Sequence, residues 1–350
     1  MLSLFNQHQK NYLIIWLSIC SLMVILMIFL GGLTRLTNSG LSIVEWKPIS
    51  GIIPPLTDNH WLEEFAKYQL SPEYLQLNNS MSLAEFKFIF WLEFVHRLAG
   101  RVTGLVYLLP LLYFYRQGII ARTTKVYPII LLLFAVQGFI GWYMVKSGLE
   151  QMPYVSHFRL ALHLIIAFII YTLLFWQLMI NSCKNKMILP GMNLQPLRLL
   201  CGLSLAMMYL QIIIGGLTAG LDAGLVYNSF PLMGTKFIAE EISISTIGFE
   251  SLNDPVFIQF LHRSCAYLII VTVSMIIFKL CYINNSKLRI INYCIILALI
   301  LQVSAGILTI IYAVPISLAL IHQIGAVILL SCLLWCYYSI SSYADSVNNS

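Results

Sequence analysis

Glu93, His96, Arg97 and Arg101 stand within three helical turns of one another in WLEFVHRLAGR (91–101), inside a segment otherwise apolar enough to lie in lipid. A charged side chain at bilayer depth costs at least ~2.5 kcal/mol on insertion scales. Such groups are kept there for what they do: a carboxylate moves protons, an imidazole binds metals, and a guanidinium pairs bidentately with anions. Glu93 lies one turn before His96 on the same helix face, at i and i+3. The plain alternative for Glu93 is an i, i+4 ion pair with Arg97. Both can hold at once.

Three more of the seven histidines, His163, His262 and His322, share this setting. Each of the four lies five to ten residues inside an apolar run, which places it ~8–15 Å deep. His8 and His60 lie outside the runs, and His157 sits at a rim, six residues from His163 and on a different helix face. One membrane histidine alone is as readily a hydrogen-bonded packing residue. Four at one depth, two in each half of the chain, point to metal ligation. No Cys, Asp or Glu cluster completes a tetrahedral zinc site at that level. Two imidazoles from facing helices suit bis-histidine haem iron, the porphyrin supplying four equatorial nitrogens. Arg97, Arg101, Arg159 and Arg263 lie near the same level and would pair with haem propionates. Snorkelling to the interface is the alternative, and for Arg159 it is at least as good.

The elements that must hold these residues are membrane spans. The chain is 59% hydrophobic and 10% charged over 350 residues, against about 25% charged residues in a soluble domain. Crossing ~30 Å of hydrocarbon takes about 20 apolar residues. Eight runs qualify: 12–32, 86–115, 126–146, 157–180, 197–217, 257–281, 290–312 and 317–340. The second is overlong, so its first turns are expected in the interface. Loops 116–125, 181–198 and 279–290 carry Arg116, Arg122, Lys125, Lys184, Lys186, Arg198, Lys279, Lys287 and Arg289 without an acidic residue, whereas 218–256 sets Lys236 against Asp222, Glu240, Glu241, Glu250 and Asp254. By the positive-inside rule both termini face the cytoplasm and the long loops 33–85 and 218–256 face outward. The net charge of +6 is therefore a topology signal and does not point to nucleic acid. The eight cysteines (20, 183, 201, 265, 281, 294, 332, 336) avoid the outward loops, so no external disulfide is expected. Eleven residues with one Lys precede the first span; that is short for a transit peptide, and the span lacks a cleavage site, so a bacterial plasma (inner) membrane is favoured. Loop 33–85 carries turn signals at Pro48, Pro54, Pro55 and Pro72 and an amphipathic stretch near 60–70 that reads as an interfacial helix.

The spans repeat. GGLT (31–34) returns at 215–218, FVHR (94–97) as FLHR (260–263), Gln137-x3-Gly141 as Gln302-x3-Gly306, and LALH (160–163) as LALIH (318–322). The chain thus reads as two four-span halves, 1–185 and 186–350, of like orientation and related by an axis along the membrane normal. Each half reads as a four-helix bundle, which holds cofactors between facing helices. The halves differ where it matters chemically: Glu93 corresponds to Gln259, and Arg101 to Tyr267. Asymmetry of this kind suggests a reaction site beside an electron-transfer site.

Over its whole length the chain resembles the haem A synthase family. The resemblance is carried by GGLTRLTNSGLSIVEWKPISGIIPP (31–55), EFKFIFWLEFVHRLAGR (85–101), HFRLALH (157–163), GGLTAGLDAG (215–224), FLHR (260–263) and LIHQIG (320–325). It implies an all-α integral membrane protein with eight spans in two pseudo-symmetric bundles, and an oxidoreductase that converts haem O to haem A for cytochrome oxidase. The methyl at porphyrin position 8 is oxidised twice, to a geminal diol that loses water to leave a formyl group. Carried over by motif, His96 and His163 would flank the substrate haem, with Arg97 and Arg101 beside it. His262 and His322, with Arg263, would hold a resident haem b, and Glu93 would be the catalytic carboxylate. A carboxylate in an apolar setting should titrate high and serve as acid or base near neutrality. The implied partners are haem O and the haem O synthase that supplies it, with a homo-oligomer admitted. One branch of the family has a cysteine pair in the first outward loop; residues 33–85 have none, which places the chain with the proteobacterial and mitochondrial branch.

Two other readings compete. A bis-histidine cytochrome b-type electron carrier would use the same histidines but has no need of Glu93 in one half only. A transporter with a histidine and carboxylate proton relay would not bind iron porphyrin.

Overall fold

The computed structural model describes residues 7–47, 50–121, 123–150, 154–182, 192–242 and 248–347; Pro48, Arg122, Cys183, Lys184 and Lys186 lie outside them. The described helices are α1 (Gln7–Leu36), α2 (Asp58–Gln69), α3 (Pro72–Leu77), α4 (Leu83–Arg116), α5 (Val126–Glu150), α6 (His157–Ser182), α7 (Gln195–Gly220), α8 (Pro255–Cys281), α9 (Ser286–Ile311) and α10 (Ile316–Val347). All but α2 and α3 are long and apolar enough to cross a membrane. This is an eight-span membrane protein, and the eight apolar runs correspond to these helices in order.

Local chemistry fixes where the helices begin. Ser82 and Glu85 form a reciprocal capping box at the start of α4, Asp254 caps α8 ahead of Pro255, and Asn285 caps α9. Each satisfies main-chain N–H groups that the first turn leaves unpaired. The amphipathic stretch near 60–70 forms helix α2, capped by Thr57. It explains why α4 is overlong: Trp61 and Tyr68 of α2 pack on Phe86, Ile89, Phe90 and Phe94 of α4 in one apolar cluster. The first turns of α4 are thus covered by protein.

The chain forms two compact units, one of Leu22–Ile170, the other of Tyr171–Ser350 together with the N-terminal turns of α1. Within the first, Tyr107 of α4 donates its hydroxyl to the carbonyl of Tyr127 in α5 at 2.8 Å and packs its ring on Phe134. Within the second, α7 lies against α8 and α10, and α9 against the same two, closing a four-helix ring. The C-terminal part of α6 belongs to this unit, with Tyr171 paired to Ser331 at 2.6 Å and Thr172 to Tyr209 at 2.5 Å.

Candidate functional site

In the first unit Glu93 is 2% exposed, yet its surroundings are not the apolar setting expected of it. Oε2 accepts the Ser42 hydroxyl at 2.6 Å and the Ile43 N–H at 2.8 Å, and Oε1 accepts Arg97 Nη2 at 2.5 Å. Ser42 has a single hydroxyl hydrogen, and the carboxylate is nearer than its other acceptors, the carbonyls of Ser39 and Ile89. Three donors on a buried carboxylate are charge-assisted hydrogen bonds of the strong kind. The ion pair with Arg97 is therefore present, but it accounts for only one of the two oxygens.

Arg97 does more than pair with Glu93. It donates to the carbonyls of Ile43 at 2.9 Å and Glu45 at 3.4 Å and lies over the Trp46 ring. Arg101 donates to the carbonyl of Lys47 at 3.1 Å. Both arginines thus hold the loop that follows α1. Arg97 Nε stays buried without a protein partner. Beyond this loop segment, Glu45 bridges Lys47 at 2.6 Å and Lys67 of α2 at 2.9 Å, and these hydrogen bonds lower its pKa.

His96 and His163 come close enough to interact electrostatically, and Nδ1 of each is buried without a protein partner. The carbonyl of His163 accepts Gln137 Nε2 at 3.0 Å. Arg159 donates to the Tyr143 hydroxyl at 3.3 Å and lies over that ring at 4.4 Å. His157 packs on Phe158 at the rim.

In the second unit the His262 and His322 rings face each other with centres 6.3 Å apart and planes inclined by 70°. An ion bonded to one nitrogen of each ring at ~2.0 Å requires ring centres a little over ~6 Å apart, and the spacing of the pair matches that. His322 Nδ1 lies 3.1 Å from the main-chain carbonyl of Gln302. A carbonyl only accepts, so the proton belongs on Nδ1 and the lone pair on Nε2, where the Gln302 side-chain amide stands 3.5 Å away; this is the tautomer a ligating histidine uses. Gln211 Nε2 lies 3.0 Å from the carbonyl of His262 and 3.2 Å from both ring nitrogens. Arg263, 6% exposed, donates to the carbonyls of Tyr227 and Ser229 at 2.9 Å each and of Leu232 at 3.3 Å. Gln259, at the position matching Glu93, donates to Tyr227 at 3.0 Å. Arg263 Nε and the Tyr267 hydroxyl are buried without protein partners. An unpaired guanidinium N–H and an unpaired phenol beside two facing imidazole rings suit a porphyrin with anionic propionates.

Comparison with known proteins identifies the family. A family described as "Cytochrome oxidase assembly protein" (COX15-CtaA) matches residues 14–334. A protein of Rickettsia bellii (strain OSU 85-389) named "Heme A synthase" is 54% identical over 330 residues, covering 94% of this chain and 98% of the relative. One of the same name from Rickettsia felis is 52% identical, covering 95% and 99%, and one from Rickettsia akari is 50% identical over the same shares. The chain belongs to the haem A synthase family.

As a haem A synthase family member, the chain brings together residues that sequence reasoning passed over. Ser42 and Ile43 lie in the quoted GLSIVEW segment, but nothing in it marks them as partners of Glu93. Gln211 is the clearer omission: it stands four residues before Gly215, the spacing already noted for Gln137 and Gln302. Glu73 of α3 is a third. It is 4% exposed and accepts the Tyr68 hydroxyl at 3.1 Å; burial, with the Glu93 charge adding, raises its pKa to about 7.

Proposed function

We propose that this chain converts haem O to haem A, oxidising the position-8 methyl through a hydroxymethyl and a geminal diol to the formyl group, for cytochrome oxidase assembly. The observation that carries this reading is the difference between two equivalent buried positions. Glu93 is a carboxylate fixed by three donors, one turn from His96, whereas Gln259 before His262 is a neutral amide. An electron carrier with two like haem sites has no use for that difference.

The two functional halves are 1–185 and 186–350. In the first, His96 and His163 flank the iron of haem O, and Arg97 and Arg101 stand beside its propionates, Arg97 through the Nε–H it keeps free. Methyl plus water gives formyl plus four protons and four electrons, so each two-electron step sheds two protons. Glu93 accepts a proton or steadies the positive charge at the benzylic-type carbon as water adds. Its carboxylate cannot swing away, because the Ser42 hydroxyl, the Ile43 amide and the Arg97 guanidinium hold both oxygens. In the second half His262 and His322 would hold haem b, and Arg263 Nε and the Tyr267 hydroxyl, buried without protein partners, would be free to pair with its propionates. Bound there, haem b supplies one-electron transfer. The protein lies in a bacterial plasma (inner) membrane with both termini cytoplasmic and the loops before α4 and α8 outside, and it receives haem O from the haem O synthase.

The test is extraction and chromatography of the haems from purified protein, expressed with a source of haem O. Haem A or its hydroxymethyl precursor beside haem b supports the reading. Haem b alone in both sites, with no conversion of added haem O, favours the electron-carrier reading instead.

A further inference from the structure

Four glycines in four different spans meet the four histidines. A Cβ built on Gly31 of α1 would stand 3.3 Å from Cε1 of His96, one on Gly141 of α5 3.2 Å from Cε1 of His163, one on Gly215 of α7 3.4 Å from Cε1 of His262, and one on Gly306 of α9 2.7 Å from Cε1 of His322. Each imidazole therefore brings its Cε1 edge up to a glycine of the preceding span: at Gly306 an added Cβ would overlap it outright, at Gly31 and Gly141 the ring would have to give by a few tenths of an ångström, and at Gly215 the contact would be an ordinary one. Glycine is otherwise a poor choice inside a helix. By contrast, Gly104 and Gly138, in α4 and α5, face open space.

Three of these glycines have a glutamine four residues earlier, one turn away on the same helix face. Gln137 donates to the carbonyl of His163 and Gln211 to the carbonyl of His262, each at 3.0 Å. Gln302 offers its own carbonyl to His322 Nδ1 at 3.1 Å and its amide to Nε2 at 3.5 Å. The glycine sets how close the ring comes; Gln211 and Gln302 also meet ring nitrogens, while Gln137 ties down the main chain of His163. In α1 the equivalent position is Met27, which has no hydrogen to donate and whose methyl instead lies 3.4 Å from where Gly100 would carry a Cβ.

We propose that Gln137–Gly141, Gln211–Gly215 and Gln302–Gly306 are seats that position ligating histidines, and that His96, seated by Gly31 alone, is the ligand that exchanges as substrate enters and product leaves. The inference rests on the haem reading proposed above. The resident haem then has two complete seats and stays. The substrate haem has one complete seat and one incomplete, so it is held from one side and released from the other.

The test uses the full-length protein purified with its haems. In Gly306→Ala the low-spin electron paramagnetic signal of the resident haem should shift, and its affinity should fall about 10–100-fold, as for other groups that orient a metal ligand. Gln211→Met should move the same signal without adding bulk, and it decides the matter if Gly306→Ala fails to fold. Gly202→Ala, where an added methyl meets only the Tyr337 ring edge at 3.8 Å, should leave signal and affinity unchanged. For the exchangeable ligand, transfer of haem to an excess of a haem-scavenging apoprotein should be biphasic. Met27→Gln should slow the fast phase about tenfold and leave the slow phase alone. Wild-type signals in Gly306→Ala and Gln211→Met, or an unchanged fast phase in folded Met27→Gln, would overturn the proposal. His322→Ala separates it from the reading beneath: a lost low-spin signal there keeps the ligand assignment, and an unaltered one removes that assignment and the seats together.

Discussion

The Ser42 hydroxyl lies 2.6 Å from Oε2 of Glu93, across fifty-one positions of sequence. With the Ile43 N–H on the same oxygen, it ties the carboxylate to the loop after α1 rather than to its own helix alone. Glu93 is held in one orientation from outside the span.

Glu93→Gln should keep the shape and the Ser42 contact while losing the base. Product per mole of folded protein should fall about 10²–10⁴-fold, the usual scale for lost acid–base help, with haem O or its hydroxymethyl form accumulating. Normal output per folded molecule would leave Glu93 as Arg97's ion-pair partner only. Arg97→Gln is the comparison: it leaves a buried carboxylate without its cation, a change that typically costs 3–5 kcal/mol (~4). Lost yield and a lower unfolding temperature are expected there.

Ser42→Ala removes one of three donors and leaves two. Stability should drop by roughly 1 kcal/mol, the scale of one buried hydrogen bond. If the hydroxyl serves only packing, output per folded molecule will match wild type. If it holds Glu93 in line, turnover will fall and Ser42→Thr will restore part of it.

Arg263→Lys keeps the charge but not the fork of donors that reaches three carbonyls. The loop around Tyr227, Ser229 and Leu232 should then be cut faster in limited proteolysis, while the helices remain intact by circular dichroism. An unchanged cleavage rate would mean that these carbonyl contacts do not hold the loop down.

Glu73 sets a pH dependence. Its ordinary value is 4.5 and its folded value about 7, raised by burial first and the Glu93 charge second; Tyr68 is the other titratable group on it, through its hydroxyl. The folded state therefore holds the proton more tightly than the unfolded chain does. This stabilisation is complete below pH 4.5 and is lost as pH rises to about 7, a swing on the order of 3 kcal/mol. In Glu73→Gln the swing should vanish, and above neutrality the variant should unfold at a higher temperature than wild type. Parallel unfolding curves against pH for the two proteins would contradict this.

Much of the fold was legible because a membrane span announces itself by length and hydropathy, and the eight runs match eight helices. The histidines were legible because they recur with their neighbours in both halves. The contacts that hold Glu93 were not. The hydroxyl of Ser42 and the amide of Ile43 reach it only after a loop folds back over α4, and an amide N–H is common to nearly every residue. Glu73 was equally hidden: its burial depends on α3 packing beside Tyr68, which no periodicity in a six-residue helix reveals.

On the loops they hold, Arg97 and Arg263 donate to main-chain oxygens. A loop gripped in this way is free to change its residues so long as its path is kept. That accounts for a duplication still plain in the spans and gone from the loops: Ile43 and Glu45 on one side and Tyr227, Ser229 and Leu232 on the other have nothing in common as residues, yet the same arginine, next to the same histidine, holds each. Divergence was open to the loops and closed to the dipeptide. Consecutive helix positions point about 100° apart, so His-Arg is a corner with one side turned to the partner histidine and the other to the loop, and inserting a single residue into it would misdirect both.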